Sequence, residues 1–292
     1  MDGAGGFDAV VRRLFPGATL NGTQSLAGGV SAQVHRLDLT LEGGSKSAVV
    51  LRIHGDAPLA LSADREFTLL RAVHDAGMPV PRPIDVDADG DVLGRPCLLM
   101  PFAEGTTELD DPDRCIDALA GALASIHAVP VRTLPPLPKR RDPLPDMIGF
   151  LPEGDEWRQL RAWLEQHEYT SFEGSATLLH GDFWPGNVLW RDGRIAAILD
   201  WEDAAIGDPM SDVAGACLEL RYDHDVAGAA RFREAYAAYR PIDPSRFALW
   251  QVYVASAAQH FMGRWGLDPD RETRMRRVAL ESIREAASLL MA

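Results

Sequence analysis

Two hydrophobic patterns divide the chain. In roughly the first hundred residues, apolar positions alternate with polar ones over short runs, which is typical of strands with one buried face. We predict strands over 25–40 and 48–54, followed by a hairpin around the Asp89-Gly90 turn. One helix interrupts them, starting after the N-cap candidate Ser62 and ending at Gly77. This part of the chain is therefore expected to form a small sheet with one helix.

Helical spacing dominates after residue 105. From Pro112 onward, apolar residues recur at intervals of three and four, and the same spacing continues in the C-terminal third. Helices are predicted from 112 and over 227–240, 245–265 and 270–290. We therefore predict a sheet-rich lobe over 1–100, a hinge over 101–105 and a mainly helical lobe over 106–292.

A hairpin is predicted within the segment LLHGDFWPGNVLWRDGRIAAILDWEDAAIGDPMSD, which starts at Leu178. Asp192-Gly193 forms a suitable two-residue turn between strands over 188–190 and 195–199. With this turn, Asn187 lies opposite Ile198, and Asp200 is its diagonal neighbour on the same face, about 7–8 Å away. Amide and carboxylate oxygens are ligands that Mg²⁺ accepts. We therefore predict that Asn187 and Asp200 bind one Mg²⁺ ion.

Asp182 lies in a loop five residues before Asn187 and can reach the same cavity without being needed for the metal. Phosphoryl transfer requires positioning, charge neutralisation and an acceptor for the proton of the alcohol. We predict Asp182 as this catalytic base, with His180 holding the loop through backbone hydrogen bonds. A second HGD triplet, His54 to Asp56, has no asparagine five positions after its aspartate, and we interpret it as an ordinary turn.

These motifs resemble the aminoglycoside phosphotransferase and choline kinase-like family, distant relatives of protein kinases. Asp182 and Asn187 match its HGDxxxxN pattern, Asp200 matches a second metal ligand, and GDPMSD matches a downstream GDPxxDxA motif. The resemblance implies an α+β, bilobal, protein-kinase-like fold with a small N-terminal antiparallel sheet lobe containing one helix and a larger, mainly helical C-terminal lobe. It also implies that Asp208 and Asp212 brace the catalytic loop.

The resemblance further implies a nucleotide site in the first hundred residues. Arg52 matches the basic residue that contacts phosphates from a central strand, and Glu66 matches its partner on a helix. Most kinases have lysine at the first position, but guanidinium still binds phosphate bidentately. The remaining candidates are Gly28, Gly29 and Ser31 for a loop over the phosphates, and Met100, Pro101 and Ala103 for the linker that binds adenine. Because Pro101 has no N–H, a backbone donor must come from a residue such as Ala103.

Composition narrows the classes of partner and compartment. The formal net charge of −14 disfavours nucleic-acid binding, which requires clustered Lys and Arg, and permits a cationic partner. No apolar run approaches the roughly 20 residues of a membrane helix, and the N-terminus does not resemble a secretory signal. We expect a cytoplasmic protein with no membrane partner and with reduced, buried cysteines. The oligomeric state is not predicted.

The predicted activity is Mg²⁺-dependent transfer of the γ-phosphate of ATP or GTP to a hydroxyl group of an aminoglycoside-like or other antibiotic. Kinases of choline, homoserine or methylthioribose are an open alternative. A non-catalytic nucleotide-binding module and a metal-dependent phosphohydrolase are alternatives from other classes. Candidate residues for the acceptor pocket are the acidic Glu202, Asp203, Asp223 and Asp225 and the aromatic Trp250, Tyr253, Phe261 and Trp265.

Overall fold

The computed structural model of this chain describes residues 3–26, 32–55, 60–108, 112–167 and 171–292, without side chains at 3–5 and 112–114. The chain forms two compact units. The first unit comprises Met1–Glu108, Arg132–Leu137 and Val188–Ala204, and the second comprises Leu109–Val131, Pro138–Asn187 and Ala205–Ala292. The hinge over 101–105 stays a prediction, because this division does not test it.

The strands of the described residues are β1 (Thr19–Leu26), β2 (Ala32–Thr40), β3 (Lys46–His54), β4 (Asp85–Asp87), β5 (Cys97–Pro101), β6 (Thr177–Leu179), β7 (Val188–Arg191), β8 (Arg194–Ile198) and β9 (Ala205–Gly207). The helices are α1 (Gly3–Leu14), α2 (Ala63–Asp75), α3 (Pro112–Ala128), α4 (Arg158–Gln166), α5 (Met210–Asp223), α6 (Val226–Ala237), α7 (Pro244–Phe261) and α8 (Pro269–Leu290). None of these helices is both long enough and apolar enough to cross a membrane.

An antiparallel sheet of five strands, in the order β1-β2-β3-β5-β4, forms the centre of the first unit. This confirms the predicted sheet. Its core consists of alternate residues of the strands, because successive side chains of a strand point to opposite faces. Leu37 and Leu51 are fully buried there. Arg52 follows Leu51 on β3 and is also buried, so this strand presents both a core residue and a charged site residue.

Two helices accompany this sheet, so the prediction of a single helix is wrong. The predicted helix is α2, with Ser62 at its N-cap position, although the Ser62 side chain makes no capping hydrogen bond. The additional helix is α1, whose Phe7, Val10 and Val11 are buried with residues of the sheet. The glycines in its first turn lower its intrinsic helix propensity, and burial of this apolar face compensates.

The second unit is mainly helical, as predicted. The predicted helices over 227–240, 245–265 and 270–290 correspond to α6, α7 and α8. A buried core runs along α7 and α8 and includes Ala248, Val252, Ala279 and Ile283. The short strands β6 and β9 pair antiparallel within this unit. They bring the residue after β6, His180, into the same unit as the start of α5.

Candidate active site

The loop after β6 is fixed by one buried carboxylate. Asp212, in the first turn of α5, accepts hydrogen bonds from the backbone N–H of His180 at 2.7 Å and of Gly181 at 3.1 Å. Gly181 has φ 88°, a left-handed conformation that favours glycine. The buried His180 side chain accepts a hydrogen bond at its Nδ1 from the Asp182 N–H at 3.3 Å. His180 and Asp212 therefore brace this loop, as predicted.

Asp182 is exposed at the end of the braced loop and is oriented by Asn187. The Asn187 amide nitrogen donates to the Asp182 carbonyl oxygen at 2.8 Å and to its carboxylate Oδ2 at 2.9 Å. Asn187 itself ends a 3₁₀ turn, Pro185–Asn187, and its N–H donates to the Trp184 carbonyl. Because the amide nitrogen is engaged with Asp182, the amide oxygen is the group that suits a cation.

Asp208 links the start of α5 to α7. It accepts hydrogen bonds from the Met210 N–H at 2.9 Å, the Arg246 Nε at 2.8 Å and the Trp250 Nε1 at 2.7 Å. These partners lie on α5 and α7, so the bracing of the catalytic loop by Asp208 stays a prediction, whereas Asp212 bonds the loop directly.

The hairpin has the predicted turn but not the predicted register. Arg191 pairs with Arg194 across Asp192-Gly193, whose φ angles of 52° and 69° fit a type I′ turn. A bulge follows, because Trp190 pairs with Ile195 and Leu189 pairs with Ala197, which leaves Ala196 unpaired. Val188 therefore lies opposite Ile198. The prediction that Asn187 occupies this position is wrong by one residue.

Arg52 is surrounded by three carboxylates of the first unit. Its Nε lies 3.4 Å from Glu66 Oε2, its Nη2 lies 3.0 Å from Asp200 Oδ1, and it also pairs with Glu202. Burial opposes the charged form, but the carboxylates outweigh it and raise the pKa of Arg52. Burial also raises the pKa of Glu66 to about 7, although Arg52 partly counteracts this. The structure thus brings Arg52, Glu66 and Asp200 together, and the sequence did not indicate Glu202 as their partner.

His54 also joins this carboxylate cluster. Its Nε2 lies 3.2 Å from Glu66 Oε2. Burial and then the nearby Arg52 charge lower the pKa of His54 to about 4, so the imidazole is neutral at pH 7. The His54 triplet was interpreted as an ordinary turn, but its histidine ends β3 inside the cluster. Asp56 lies outside the described residues.

The remaining nucleotide-site candidates are at the end of β5 and in the segment after β1. Met100 and Pro101 pair with β3, and the Phe102 N–H donates to the Ala48 carbonyl at 3.1 Å. In the described part of the chain, the Ala103 N–H has no acceptor. Ala103 therefore retains the donor that the adenine prediction requires. Gly28, Gly29 and Ser31 lie outside the described residues.

The acidic acceptor-pocket candidates Glu202, Asp223 and Asp225 have partners in the structure. Glu202 pairs with Arg52, and Asp225 accepts a hydrogen bond from the Gly228 N–H at 2.7 Å as the N-cap of α6. Asp223 lies 3.2 Å from the Arg271 guanidinium. Aromatic candidates for the acceptor pocket also have partners. Trp250 donates a hydrogen bond to Asp208, and Tyr253 and Phe261 pack on the ring of Phe150.

Glu219 was missed by the sequence analysis. It lies seven residues after Asp212 on α5, which is two turns along the same helical face. Burial, followed by the charges of Asp182 and Asp223, raises the pKa of Glu219 to about 8. Helical periodicity counted from Asp212 was the signal that could have found it. Across the described residues, no group of three or more His, Cys, Asp or Glu side chains could hold a metal ion.

Comparison with protein families gives one match over most of the chain. The sequence profile described as "Phosphotransferase enzyme family" matches residues 23–250. Among curated proteins, mouse acyl-CoA dehydrogenase family member 10 is 30% identical over 189 residues, which is 55% of this chain and 17% of that protein. The chain thus spans under a fifth of this relative. Homoserine kinase of Methylobacillus glycogenes is 28% identical over 211 residues, covering 66% of this chain and 65% of the kinase.

Solved structures resemble the fold over nearly the full length. One is a crystal structure described as a putative aminoglycoside phosphotransferase from Ralstonia eutropha JMP134, with a TM-score of 0.71, 20% identity and 98% coverage of both chains. Another is the aminoglycoside phosphotransferase APH(4)-Ia in a ternary complex with AMP-PNP and hygromycin B, with a TM-score of 0.67, 17% identity and coverage of 95% of this chain and 97% of that chain. At these identities the likeness shows a kinase-like fold, which confirms the predicted fold class.

Proposed function

The chain belongs to the phosphotransferase enzyme family, and from this we propose that it transfers the γ-phosphate of ATP to a hydroxyl group of a small-molecule acceptor. The observation that carries the proposal is the fixed loop around Asp182. Its backbone is anchored on Asp212, and its exposed carboxylate is oriented by Asn187. This arrangement suits phosphoryl transfer, which asks the protein mainly for positioning and charge neutralisation.

Asp182 is the proposed acceptor of the hydroxyl proton. A general base must reach the proton that it removes, and an exposed carboxylate on a rigid loop meets this requirement once the acceptor is bound. The hydrogen bond from Asn187 to one carboxylate oxygen restricts rotation of the carboxylate. Such restriction favours the reactive geometry over other orientations.

Arg52 is the proposed phosphate-binding residue. Glu66 contacts its Nε, which orients the planar guanidinium on β3. Its Nη2 contacts Asp200 and Glu202, so a phosphate oxygen would share the guanidinium with these carboxylates when nucleotide binds. Guanidinium is suited to this exchange because its several N–H donors can bind carboxylate and phosphate oxygens at the same time.

Asn187 and Asp200 are the proposed ligands of Mg²⁺. Asn187 directly precedes β7 and Asp200 follows β8 by two residues, so one hairpin connects them. The donor set fits, because Asn187 retains its amide oxygen and Asp200 is a carboxylate; water and nucleotide phosphates complete such shells. Bound Mg²⁺ would neutralise negative charge on the phosphates.

ATP is the proposed donor, with Ala103 supplying a backbone N–H to the adenine. The AMP-PNP bound by the similar phosphotransferase structure supports an adenine nucleotide. For the acceptor, an aminoglycoside-like or other antibiotic is the first candidate, and it rests on fold likeness. The homoserine kinase relative supports a second candidate, a hydroxylated small metabolite, at higher sequence identity.

The test is acceptor-dependent release of ADP in the presence of Mg²⁺. Purified protein is incubated with ATP and single acceptors from two panels, one of aminoglycosides and macrolides and one of homoserine, choline and methylthioribose. We expect one panel to stimulate ADP release, and Asp182→Asn to lower kcat at least 100-fold, as loss of a general base does. The matched control is Asp192→Asn, since asparagine also tolerates the left-handed φ of this turn.

Three outcomes contradict the proposal. Equal turnover by the wild type and Asp182→Asn removes Asp182 as the base. Release of phosphate at the same rate without any acceptor indicates a hydrolase. Nucleotide binding without consumption with any acceptor of either panel indicates a non-catalytic module.

A further inference from the structure

The ends of three helices meet behind the catalytic loop in the second unit. His127 lies in the last turn of α3, Asp212 in the first turn of α5, and Tyr236 in the last turn of α6. All three side chains are buried: those of His127 and Asp212 are 0% and 3% exposed. The sequence assigns no chemistry to His127, because a histidine at the end of an amphipathic helix is commonly a packing residue.

Hydrogen bonds join these three residues into a continuous series. Tyr236 Oη lies 2.7 Å from His127 Nδ1, and His127 Nε2 lies 3.3 Å from Asp212 Oδ2. The same Asp212 oxygen accepts the His180 N–H of the catalytic loop. Arg240 donates through Nη1 to the His127 carbonyl oxygen at 3.1 Å. This series of hydrogen bonds therefore runs from Tyr236, at the end of α6, to the backbone next to Asp182.

The partners determine the tautomer of His127. The ionised Asp212 carboxylate can only accept, so His127 Nε2 carries the proton that is donated to it. In the neutral ring Nδ1 is then the acceptor, and the Tyr236 hydroxyl donates its proton to it. In this tautomer each donor of the series faces an acceptor.

Asp212 depends on this donor for its charge. Burial opposes its ionisation, but hydrogen bonding to His127 and the contributions of His127 and His180 outweigh burial and lower the pKa of Asp212. A buried carboxylate that loses one donor is left partly unsatisfied, which weakens its remaining contacts or moves it. The groups that respond first are the N–H groups of His180 and Gly181, which Asp212 holds.

We propose that His127 is a positioning residue for phosphoryl transfer: oriented by Tyr236, it fixes the Asp212 carboxylate, which in turn fixes the backbone that presents Asp182. This inference rests on the proposed function, because it assigns the position of Asp182 to a residue outside the reacting groups. Its specific consequence is that loss of His127 changes the geometry of the base and leaves nucleotide contacts in the first unit unchanged.

The test compares three variants of the full-length protein with a matched control. His127→Leu removes the donor, His127→Gln retains an N–H near the position of Nε2, and Tyr236→Phe removes only the hydroxyl that orients the ring. The control is Gln251→Leu, which removes another buried hydrogen bond of this unit, from Gln251 Nε2 to the Ser282 carbonyl at 3.3 Å, with no link to the loop.

We expect His127→Leu to lower kcat by about 10- to 100-fold, the range found when hydrogen-bonded partners of active groups are removed. The KM for ATP should change by less than about 2-fold, because the nucleotide contacts in the first unit are unaffected. His127→Gln should recover most of the activity, and Tyr236→Phe should lie between. Gln251→Leu should lower the thermal midpoint without changing kcat. The proposal is overturned if His127→Leu and Gln251→Leu both lose activity only in proportion to the fraction of protein that is unfolded.

A second measurement separates this proposal from the proposed function. Hydrogen–deuterium exchange of the peptide containing residues 180–182 reports the N–H groups that Asp212 holds, whether or not an acceptor is known. Faster exchange in His127→Leu but not in Gln251→Leu supports the positioning role even if no phosphoryl transfer is found. Unchanged exchange in His127→Leu overturns it even if the wild type is an active kinase.

Discussion

Burial affects the charge of two ionisable side chains of this protein, Arg52 and Glu219, in different ways. Arg52 is 6% exposed and has carboxylate partners on its Nε and Nη2 atoms. Glu219 is partly buried on α5, and the described residues offer its carboxyl group no hydrogen bond or ion pair. Burial of an unpaired carboxyl group favours its neutral form, whereas paired burial preserves charge. Arg52 thus keeps its charge, and the Glu219 carboxyl group is neutral in most molecules at pH 7.

Glu219→Gln should therefore change how stability depends on pH. The folded-state pKa of about 8 lies above the ordinary value of 4.5, so the folded protein binds this proton more tightly than the unfolded chain does. The wild type consequently loses stability as pH rises from 4.5 to about 8, by on the order of 2–4 kcal/mol. Glutamine removes this loss. Urea unfolding at pH 5 and pH 8 should show the variant gaining on the wild type only at pH 8.

A suitable control is Glu285→Gln, whose carboxylate pairs bidentately with Arg221 and is half exposed. This variant should be less stable than the wild type at pH 8, since it removes an ion pair. An equal difference between Glu219→Gln and the wild type at both pH values would show that Glu219 ionises normally.

Arg52→Lys tests the guanidinium geometry. A lysine ammonium is a single point charge, so it cannot contact Glu66 through one nitrogen and Asp200 with Glu202 through another. We expect the KM for ATP to rise about 10-fold, equivalent to about 1.4 kcal/mol, with a smaller effect on kcat. Steady-state kinetics at saturating acceptor measures both constants. Arg82→Lys, at an exposed pair with Asp75, is the control; an unchanged KM in Arg52→Lys contradicts the phosphate role.

At the scale of elements, the β7–β8 hairpin shows which features a sequence encodes locally. Its turn was predictable because Asp192-Gly193 supplies two residues that adopt positive φ. The bulge at Ala196 was not, because the run IAAI contains apolar residues on both faces and fits either register. Tertiary packing decides between the registers, so the face of each residue near Asn187 could not be obtained from spacing.

The candidate site likewise contains contacts that the sequence indicated and contacts that depend on distant elements of the fold. The loop brace by Asp212 was implied by the resemblance of GDPMSD to a family motif, and it is observed. The partners contributed by distant helices were not: His127 and Tyr236 are 109 residues apart, and nothing in either local sequence indicates their hydrogen bond. Glu202 was likewise considered for the acceptor, although the fold pairs it with Arg52.

Asp208→Asn tests whether the contact between α5 and α7 is structural. Asp208 and Asp142 both pair with the buried Arg246. The change removes the charge of the more buried carboxylate, and breaking such pairs costs about 3 kcal/mol. The free energy of unfolding should fall accordingly, whereas kcat per folded molecule should change little. Asp117→Asn removes an exposed carboxylate that lies 2.7 Å from Arg231 and should cost less than about 1 kcal/mol. Equal losses in the two variants would contradict the assigned role of burial.

At the scale of the whole molecule, ligand binding should report how the nucleotide and the metal act together. Ligands that bind only the folded state raise stability by RT ln(1 + [L]/Kd), about 2.7 kcal/mol at a concentration of 100 Kd. For a protein of this size we expect the thermal midpoint to rise by roughly 5–10 °C with AMP-PNP and Mg²⁺. AMP-PNP is used because hydrolysis would change the ligand during heating.

The dependence on Mg²⁺ identifies the proposed ligands in this assay. In Asn187→Ala, which removes the amide oxygen, AMP-PNP alone should still raise the midpoint, because Arg52 and Ala103 are unchanged, but Mg²⁺ should add little. Asp192→Asn, on the turn of the same hairpin, should behave as the wild type. If Mg²⁺ adds the same increment to Asn187→Ala as to the wild type, Asn187 is not a ligand. If it adds nothing to the wild type, nucleotide binding does not require the metal, and the metal's place in phosphoryl transfer would have to be sought in kcat alone.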